Sequence, residues 1–222
     1  MVLEKNPKTR PLLMKLLQAE DSIHGKPFPS MKRVEQISIY ACGPATLEML
    51  FSYVGLKVTQ TGLIRSIRVG NKIKQYGIDV NDMAKAANIK AKKKYTFWKK
   101  ENSTIGDLEK IVNKYHYPVG VEWQGVFYEN EDEDSGHYGV ITKIDKKNNF
   151  LRIADPYFNG YFHFHGTDRK FNIAEFKKKW WDVNDVKVSG RAKMRQVKDI
   201  RMMFLITLKS EIWPKKLGMK RT

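Results

Sequence analysis

The chain has 222 residues, of which 41% are hydrophobic and 12% are aromatic. This composition excludes disordered, collagen-like and low-complexity proteins, and a chain of this length can bury a large core. Lysine and arginine outnumber aspartate and glutamate by 41 to 24, which gives a net charge of +17 and favours anionic partners. Because the lysines are spread over many segments, a solvated basic surface is the simplest interpretation.

The chain contains a single cysteine, Cys42. One cysteine excludes an intrachain disulfide and a zinc site built from several thiolates. No segment reaches the roughly 20 apolar residues of a membrane-spanning helix. The apolar stretch at residues 12–17 is too short and too polar for a signal peptide, so we expect a cytoplasmic protein.

The pattern along the chain predicts helices in the first half. Residues 1–30 are predicted to be an extension, because four prolines surround one short amphipathic helix near residues 12–19. Apolar residues at helical spacing then predict a core helix over residues 43–54. Further helices are predicted over residues 80–87, over residues 104–114 behind the cap candidate Ser103, and over residues 173–180 behind Asn172.

After residue 117 the pattern changes to β-branched runs with a period of two, which predicts an antiparallel sheet. The predicted strands cover residues 118–123, 138–145, 151–155, 161–164 and 202–208. Short polar turns between them make a meander the simplest topology. Helices followed by a sheet indicate an α+β domain over residues 31–212, with a basic tail at residues 213–222.

Cys42 lies directly before Gly43, at the predicted start of the core helix. Unpaired backbone N–H groups and the positive end of the helix dipole favour the thiolate there, as a nucleophile requires. Gln36 lies six residues upstream. Its side-chain amide could join the Cys42 N–H in an oxyanion hole, where donors stabilise the negative charge of a tetrahedral intermediate.

The chain offers five histidines as a general base: His24, His116, His137, His163 and His165. His137 is the strongest candidate, because it follows Gly136 at the start of a predicted strand that would hold its ring at the sheet edge. His163 and His165 alternate on one predicted strand, but without an obvious third ligand we expect no metal site. Asp155 ends the strand that pairs with the His137 strand, so its carboxylate could orient the imidazole.

These residues resemble, in order and spacing, the papain-like, bacteriocin-processing (double-glycine) cysteine peptidases. The resemblance covers about residues 31–182. It is carried by Gln36, by the stretch from Cys42 to Ala45, by the stretch from Gly136 to Val140, and by Asp155 with Pro156.

The resemblance implies an α+β fold in which helices pack on a C-terminal sheet, and a cysteine peptidase activity without a cofactor. In this family Cys42 would be the nucleophile, His137 the general base and acid, Asp155 its orienter, and Gln36 the oxyanion donor. Gly43, Gly136 and Tyr138 would bind substrate. The substrate would be a peptide or protein, cut after two small residues of the Gly-Gly type.

Other interpretations stay open at this point. The same triad can serve an amidase or an acyltransferase, since only the acceptor differs. A nucleic-acid-binding module is the alternative from another class, because Tyr95, Phe97 and Trp98 lie within a lysine-rich run and bases could stack on them. A strand with one aromatic face explains the same alternation. The acidic segment 129–134 is interpreted as a solvated hairpin tip or as a selector of cationic substrates.

Overall fold

The structure, a computed structural model, describes residues 27–69, 73–74, 77–91, 93–124, 136–157, 168–187 and 194–222. The predicted N-terminal helix, the predicted strand 161–164 and the acidic segment 129–134 lie outside the described residues. The same is true of His24, His163 and His165.

Six helices and nine strands lie within the described ranges. The helices are α1 (Cys42–Tyr53), α2 (Gln60–Ile67), α3 (Val80–Ala91), α4 (Ile105–Glu109), α5 (Ile173–Lys179) and α6 (Trp213–Lys216). The strands are β1 (Tyr95–Lys100), β2 (Val119–Gln124), β3 (Gly136–Asp145), β4 (Phe150–Ala154), β5 (Arg169–Asn172), β6 (Trp181–Lys187), β7 (Met194–Ile200), β8 (Met203–Leu208) and β9 (Lys220–Arg221).

Seven strands form one sheet in the order β5-β4-β3-β2-β8-β1-β9, in which all described pairs are antiparallel. The α+β class is therefore confirmed. Strands β2, β3 and β4 pair in the predicted order, and β5, which was not predicted, continues the meander. Strand β1 departs from the simple order of helices before sheet. It precedes β2 in the chain and pairs with β8, where Phe97 stacks on Phe204 with ring centroids 5.5 Å apart. Strands β6 and β7 form a separate hairpin.

Helix α1 is the central helix of the core. Nine of its twelve residues are buried, and it packs against β3 and β2. A helix that is apolar on nearly all sides is typical of a protein interior. The same packing places the first residue of the helix, Cys42, beside the sheet. Within the described ranges, no helix combines the length and the apolar character needed to cross a membrane.

The structure corrects the predicted start of α4. Its N-cap is Thr104 instead of Ser103: the Thr104 hydroxyl accepts from the Asp107 N–H at 3.1 Å, and the Asp107 carboxylate accepts from the Thr104 N–H at 2.9 Å. This reciprocal capping box satisfies two N–H groups that the helix leaves unpaired. Ser103 instead donates to the carbonyl of Lys100. A π-helical turn, Lys110–Lys114, continues α4.

The predicted basic tail contributes to the fold. Trp213 stacks on Tyr115 with centroids 4.1 Å apart, and β9 pairs with β1 at the edge of the sheet. Residues 95–100 form strand β1. Of the two interpretations of the aromatic residues there, the strand is therefore the correct one. Because Tyr95, Phe97 and Trp98 are buried, the aromatic surface that bases would stack on is not exposed.

Candidate active site

Cys42 is half-buried and is the first residue of α1, as the sequence predicts. Its N-cap, Ala41, provides no side-chain hydrogen bond to the helix, and the first turn contains no acidic residue. The N–H groups at this helix start therefore meet no negatively charged side chain of their own turn. A negative charge on the sulfur is favourably placed relative to the helix dipole.

His137 connects the sheet to this helix start. Its Nε2 atom lies 2.7 Å from Oδ1 of Asp155, and its ring also hydrogen-bonds to Cys42. The structure thus brings together Cys42, His137 and Asp155, which are far apart in the chain.

The His137 ring is 97% buried and lies among aromatic side chains. The ring of Trp123, which is directly opposite on β2, lies edge-on at 6.3 Å between centroids, and the ring of Tyr157 lies at the same distance. Such surroundings exclude water and strengthen the attraction between the charged groups.

Electrostatics favour a charged pair. Burial lowers the pKa of His137, but the charge and hydrogen bond of Asp155 and the contact with Cys42 outweigh burial and raise this pKa to about 10. Burial likewise raises the pKa of Asp155, but His137, Arg169 and the Tyr157 N–H outweigh it and lower the value to about 2. At neutral pH the site therefore holds an imidazolium facing a carboxylate.

Asp155 is held at both oxygens. Oδ1 accepts from the backbone N–H of Tyr157 at 2.9 Å, and Oδ2 accepts from Nη1 of Arg169 at 2.6 Å. The Arg169 guanidinium also lies over the ring of Phe171, with 5.0 Å between its carbon and the ring centroid. Sequence reasoning missed Arg169, because β5 has only four residues and lacks a clear apolar pattern.

Gln36 lies between the segment that carries Asp155 and the segment that leads to Cys42. Its backbone N–H donates to the carbonyl of Pro156 at 2.8 Å, directly after Asp155. Its side chain is buried, and Nε2 donates to the carbonyl of Ser38 at 2.9 Å. The same carbonyl accepts the N–H of Ala41 at 3.0 Å, one residue before Cys42. The Gln36 amide is therefore joined to the start of α1 through one carbonyl group.

The side chains of Gln60 and Arg33 also fix the segment that carries Gln36, and the sequence predicted neither of these contacts. Oε1 of the buried Gln60 accepts from the Ile37 N–H at 3.0 Å, and its Nε2 donates to the carbonyl of Glu35 at 2.7 Å. Arg33 donates to both carboxylate oxygens of Asp168 at 3.0 Å each. Two neighbouring residues at the start of β5 thus make these contacts. Asp168 binds the segment that carries Gln36, and Arg169 binds Asp155.

The three residues predicted to bind substrate have different surroundings. Gly43 is buried, and a side chain there would meet Ile78 at 3.0 Å. Gly136 is exposed, but a Cβ atom would lie 2.4 Å from the carboxylate oxygens of Asp182. The Tyr138 side chain is buried and donates to Glu122.

The physical reason for the placement of Tyr138 is the alternation of a strand. Successive residues point to opposite faces, so Tyr138 and His137 cannot share one. Tyr138 lies opposite Glu122 on β2, and Nδ2 of Asn184 donates to the same Glu122 oxygen at 2.9 Å. Burial, followed by the nearby charge of Asp182, raises the pKa of Glu122 well above its ordinary value.

No group of three or more His, Cys, Asp or Glu side chains is placed to bind a metal ion among the residues that the structure describes. His116, another of the five histidines, is buried elsewhere, and its carbonyl accepts from the Tyr53 hydroxyl.

Comparison with known proteins agrees with this geometry. A sequence model described as the Peptidase_C39 like family matches residues 28–188. The chain is similar to the peptidase domain of Streptococcus ComA, a bifunctional ABC transporter involved in quorum sensing: identity is 18%, the TM-score is 0.50, and the match covers 78% of this chain and 96% of that one.

A second solved structure is a double glycine motif protease from an AMS/PCAT transporter in complex with the leader peptide. It has 15% identity and a TM-score of 0.48, with 83% of this chain and 96% of that chain covered. Among curated protein sequences, none matches. The family match spans both the Cys42 and the His137 segments and also Asp155.

Proposed function

Because the chain belongs to the Peptidase_C39 like family and is a cysteine peptidase, we propose that Cys42, His137 and Asp155 are its catalytic triad, with Gln36 as oxyanion donor. One observation supports this assignment above the others: the buried His137 ring bonds to Asp155 through Nε2 and also hydrogen-bonds to Cys42. Nucleophile, base and orienting group then stand in the order that acyl transfer requires.

The reaction follows from this arrangement. The Cys42 sulfur attacks the carbonyl carbon of the peptide bond, and the carbonyl oxygen becomes an oxyanion. The His137 imidazolium gives its proton to the leaving nitrogen as the C–N bond breaks, which leaves a thioester on Cys42. The neutral imidazole then takes a proton from water, the resulting hydroxide attacks the thioester, and the sulfur departs.

Gln36 is suited to hold the oxyanion. Its Nε2 carries two hydrogens, of which one donates to Ser38. Among the described residues no second acceptor is paired with this nitrogen, so the other hydrogen can serve the substrate oxygen together with the Cys42 N–H. Removing one such donor commonly lowers kcat by about 10²-fold to 10³-fold.

The resemblance to double-glycine peptidases makes a bond that follows two small residues the first substrate to test. Water is the acceptor in this proposal. If an amine or a thiol replaced water, the same residues would perform acyl transfer, and the products would show the difference.

The experiment uses the single cysteine of the chain. Alkylation by iodoacetamide at about pH 6 reports on Cys42 alone and should be faster in the wild type than in His137→Ala or in an unfolded control peptide. Peptides with a Gly-Gly site should be hydrolysed by the wild type and not by Cys42→Ala. Equal alkylation rates in wild type and His137→Ala would overturn the triad assignment.

A further inference from the structure

A cleft of about 710 Å³ is lined by residues of helix α3 and of the edge strands β1 and β9. This volume lies within the range of about 300 to 1,000 Å³ that is typical of binding sites for small molecules. None of the residues that line the cleft belongs to the proposed triad or is the proposed oxyanion donor. The cleft is therefore separate from the proposed peptidase site.

Three cationic side chains from different parts of the chain line this cleft. Lys85 lies on α3, Lys209 directly follows β8, and Arg221 lies on β9. All three are exposed, and none forms an ion pair with another described residue. The described lining contains no Asp or Glu side chain. A chain that ends at Thr222 would add one carboxylate, which the three cations outnumber. A concave surface lined by one sign of charge concentrates ligands of the opposite sign.

The backbone that carries these three cations is held by the fold. Lys85 belongs to a helix of twelve residues, and Arg221 belongs to β9, which pairs with β1. The N–H of Lys209 donates to the carbonyl of Lys94 at 2.9 Å. The three charges therefore line one volume before any ligand binds, and such preorganisation lowers the cost of binding.

A buried hydroxyl group without a partner also belongs to the lining of the cleft. Thr96 is only 3% exposed, and its Oγ1 has no hydrogen-bond partner within the described ranges. Buried polar atoms without a partner are rare in native proteins, and a bound ligand is one way to satisfy them. Asn81 adds a donor to the lining, because its Oδ1 accepts from Nζ of Lys99 at 2.6 Å and its Nδ2 carries the hydrogens.

We propose that this cleft, named here the basic cleft after Lys85, Lys209 and Arg221, binds a small molecule that carries several phosphate groups. Several negative charges are needed to match three cations, and an arginine guanidinium can donate two parallel N–H bonds to one phosphate. The Thr96 hydroxyl would donate to a phosphate oxygen. Ile89, which is 54% exposed, adds an apolar area to the lining that the ring of a nucleoside would cover.

Isothermal titration calorimetry on the full chain tests the proposal, with adenosine triphosphate and inorganic tripolyphosphate as the two probes. Both should bind with one site per chain, whereas adenosine should not bind at the same concentrations. Lys85→Gln combined with Lys209→Gln should raise Kd for both probes by about tenfold or more, because charge-assisted hydrogen bonds are lost. Tighter binding of the nucleotide that Ile89→Ser abolishes would identify a nucleoside as the carrier of the phosphates. Equal binding of both probes would identify the phosphate chain itself as the ligand.

The matched control is Lys177→Gln combined with Lys179→Gln. It removes the same two charges from exposed positions on α5 and should keep the wild-type Kd. Thr96→Val provides a second test that does not change the charge. It removes a hydroxyl that has no partner among the described residues, so stability in urea should not fall. The Kd of both probes should nevertheless rise by about fivefold, the effect of one hydrogen bond.

Two results would overturn the proposal directly. One is the absence of binding of both probes at about 1 mM. The other is an equal loss of affinity in the two double variants, which would show that a diffuse basic surface holds the phosphates. A single-stranded oligonucleotide that binds while both probes do not, and that the basic-cleft variant weakens, would assign the cleft to nucleic acid and overturn the proposal as well. None of these measurements uses peptide hydrolysis, so their failure leaves the proposed function standing.

Discussion

Arg169 is the residue whose removal tests the charge arrangement of the site most directly. Its Nη1 lies 2.6 Å from Oδ2 of Asp155, and the side-chain exposed fractions are 22% and 3%. Hydrogen bonds to charged groups stabilise proteins by about 1.5 to 3 kcal/mol. Since Asp155 keeps its bonds to His137 and Tyr157, we expect Arg169→Met to lower the free energy of unfolding by about 2 kcal/mol.

The same change should alter the pH dependence of stability. The pKa of Asp155 is about 2 in the folded protein, against an ordinary value of 3.8. The carboxylate therefore contributes stability above about pH 4, and this contribution is lost as the pH falls toward about 2. Without Arg169 the folded-state pKa rises, so acid unfolding should begin at a higher pH.

Activity should fall as well, because a less firmly held carboxylate orients His137 less well. We expect kcat/KM to drop by about tenfold, which corresponds to about 1.4 kcal/mol in the transition state. Arg169→Lys should recover part of the loss, since it keeps the charge but not the geometry of the guanidinium.

Lys170→Met is the matched control for Arg169→Met. It removes one charge from the same strand, where its amine lies over the Phe150 ring and not at Asp155. Urea unfolding from about pH 3 to pH 7 and peptide hydrolysis measure both variants. If the two variants agree within about threefold in kcat/KM and share an acid midpoint, the Arg169 contact does not position Asp155.

Asp155→Asn should keep the far-ultraviolet circular dichroism of the wild type but lower kcat/KM by more than about tenfold, because an amide cannot stabilise the imidazolium; a smaller loss would mean that another group orients the base. Gly136→Ala should lose about 1 to 3 kcal/mol in urea unfolding, since its Cβ would lie 2.4 Å from the Asp182 carboxylate. Gly106→Ala, with its nearest atom at 3.6 Å, should be neutral or stabilising, and equal effects would contradict the packing argument. Burial raises the pKa of Glu122, so the wild type should lose stability as the pH rises above about 4.5 and through that raised value. The free energy of unfolding, measured in urea at several pH values, should no longer fall over this pH range in Glu122→Gln. An unchanged fall would show that Glu122 is not the group responsible.

The sequence contains the signals for the elements that hold the proposed nucleophile and base. Apolar spacing in the core helix placed Cys42 at a helix start, and the period of two after residue 117 placed His137 on a strand. Asp155 followed from the turn that pairs β3 with β4. These signals are local, because each depends on residues within one element or one turn.

The contacts that the sequence did not predict join distant segments. Arg169 reaches Asp155 from a four-residue strand, and Gln60 reaches the Gln36 segment from 24 positions further along the chain, in a helix that was not predicted. A glutamine or arginine on a short element has the composition of a surface residue. Only the tertiary packing shows that such a side chain satisfies buried polar groups.

The position of His137 depends on the register between β2 and β3. His137 lies opposite Trp123, while Tyr138 lies opposite Glu122 on the other face. A slip of one residue would move the histidine to the face of the buried glutamate, because strand side chains alternate. Gly120 resists such a slip: a Cβ atom there would lie 2.2 Å from the Phe204 ring, so a neighbouring valine cannot replace it without moving the core. The packing of one glycine in the core thus helps to decide which face of the sheet presents the proposed catalytic base.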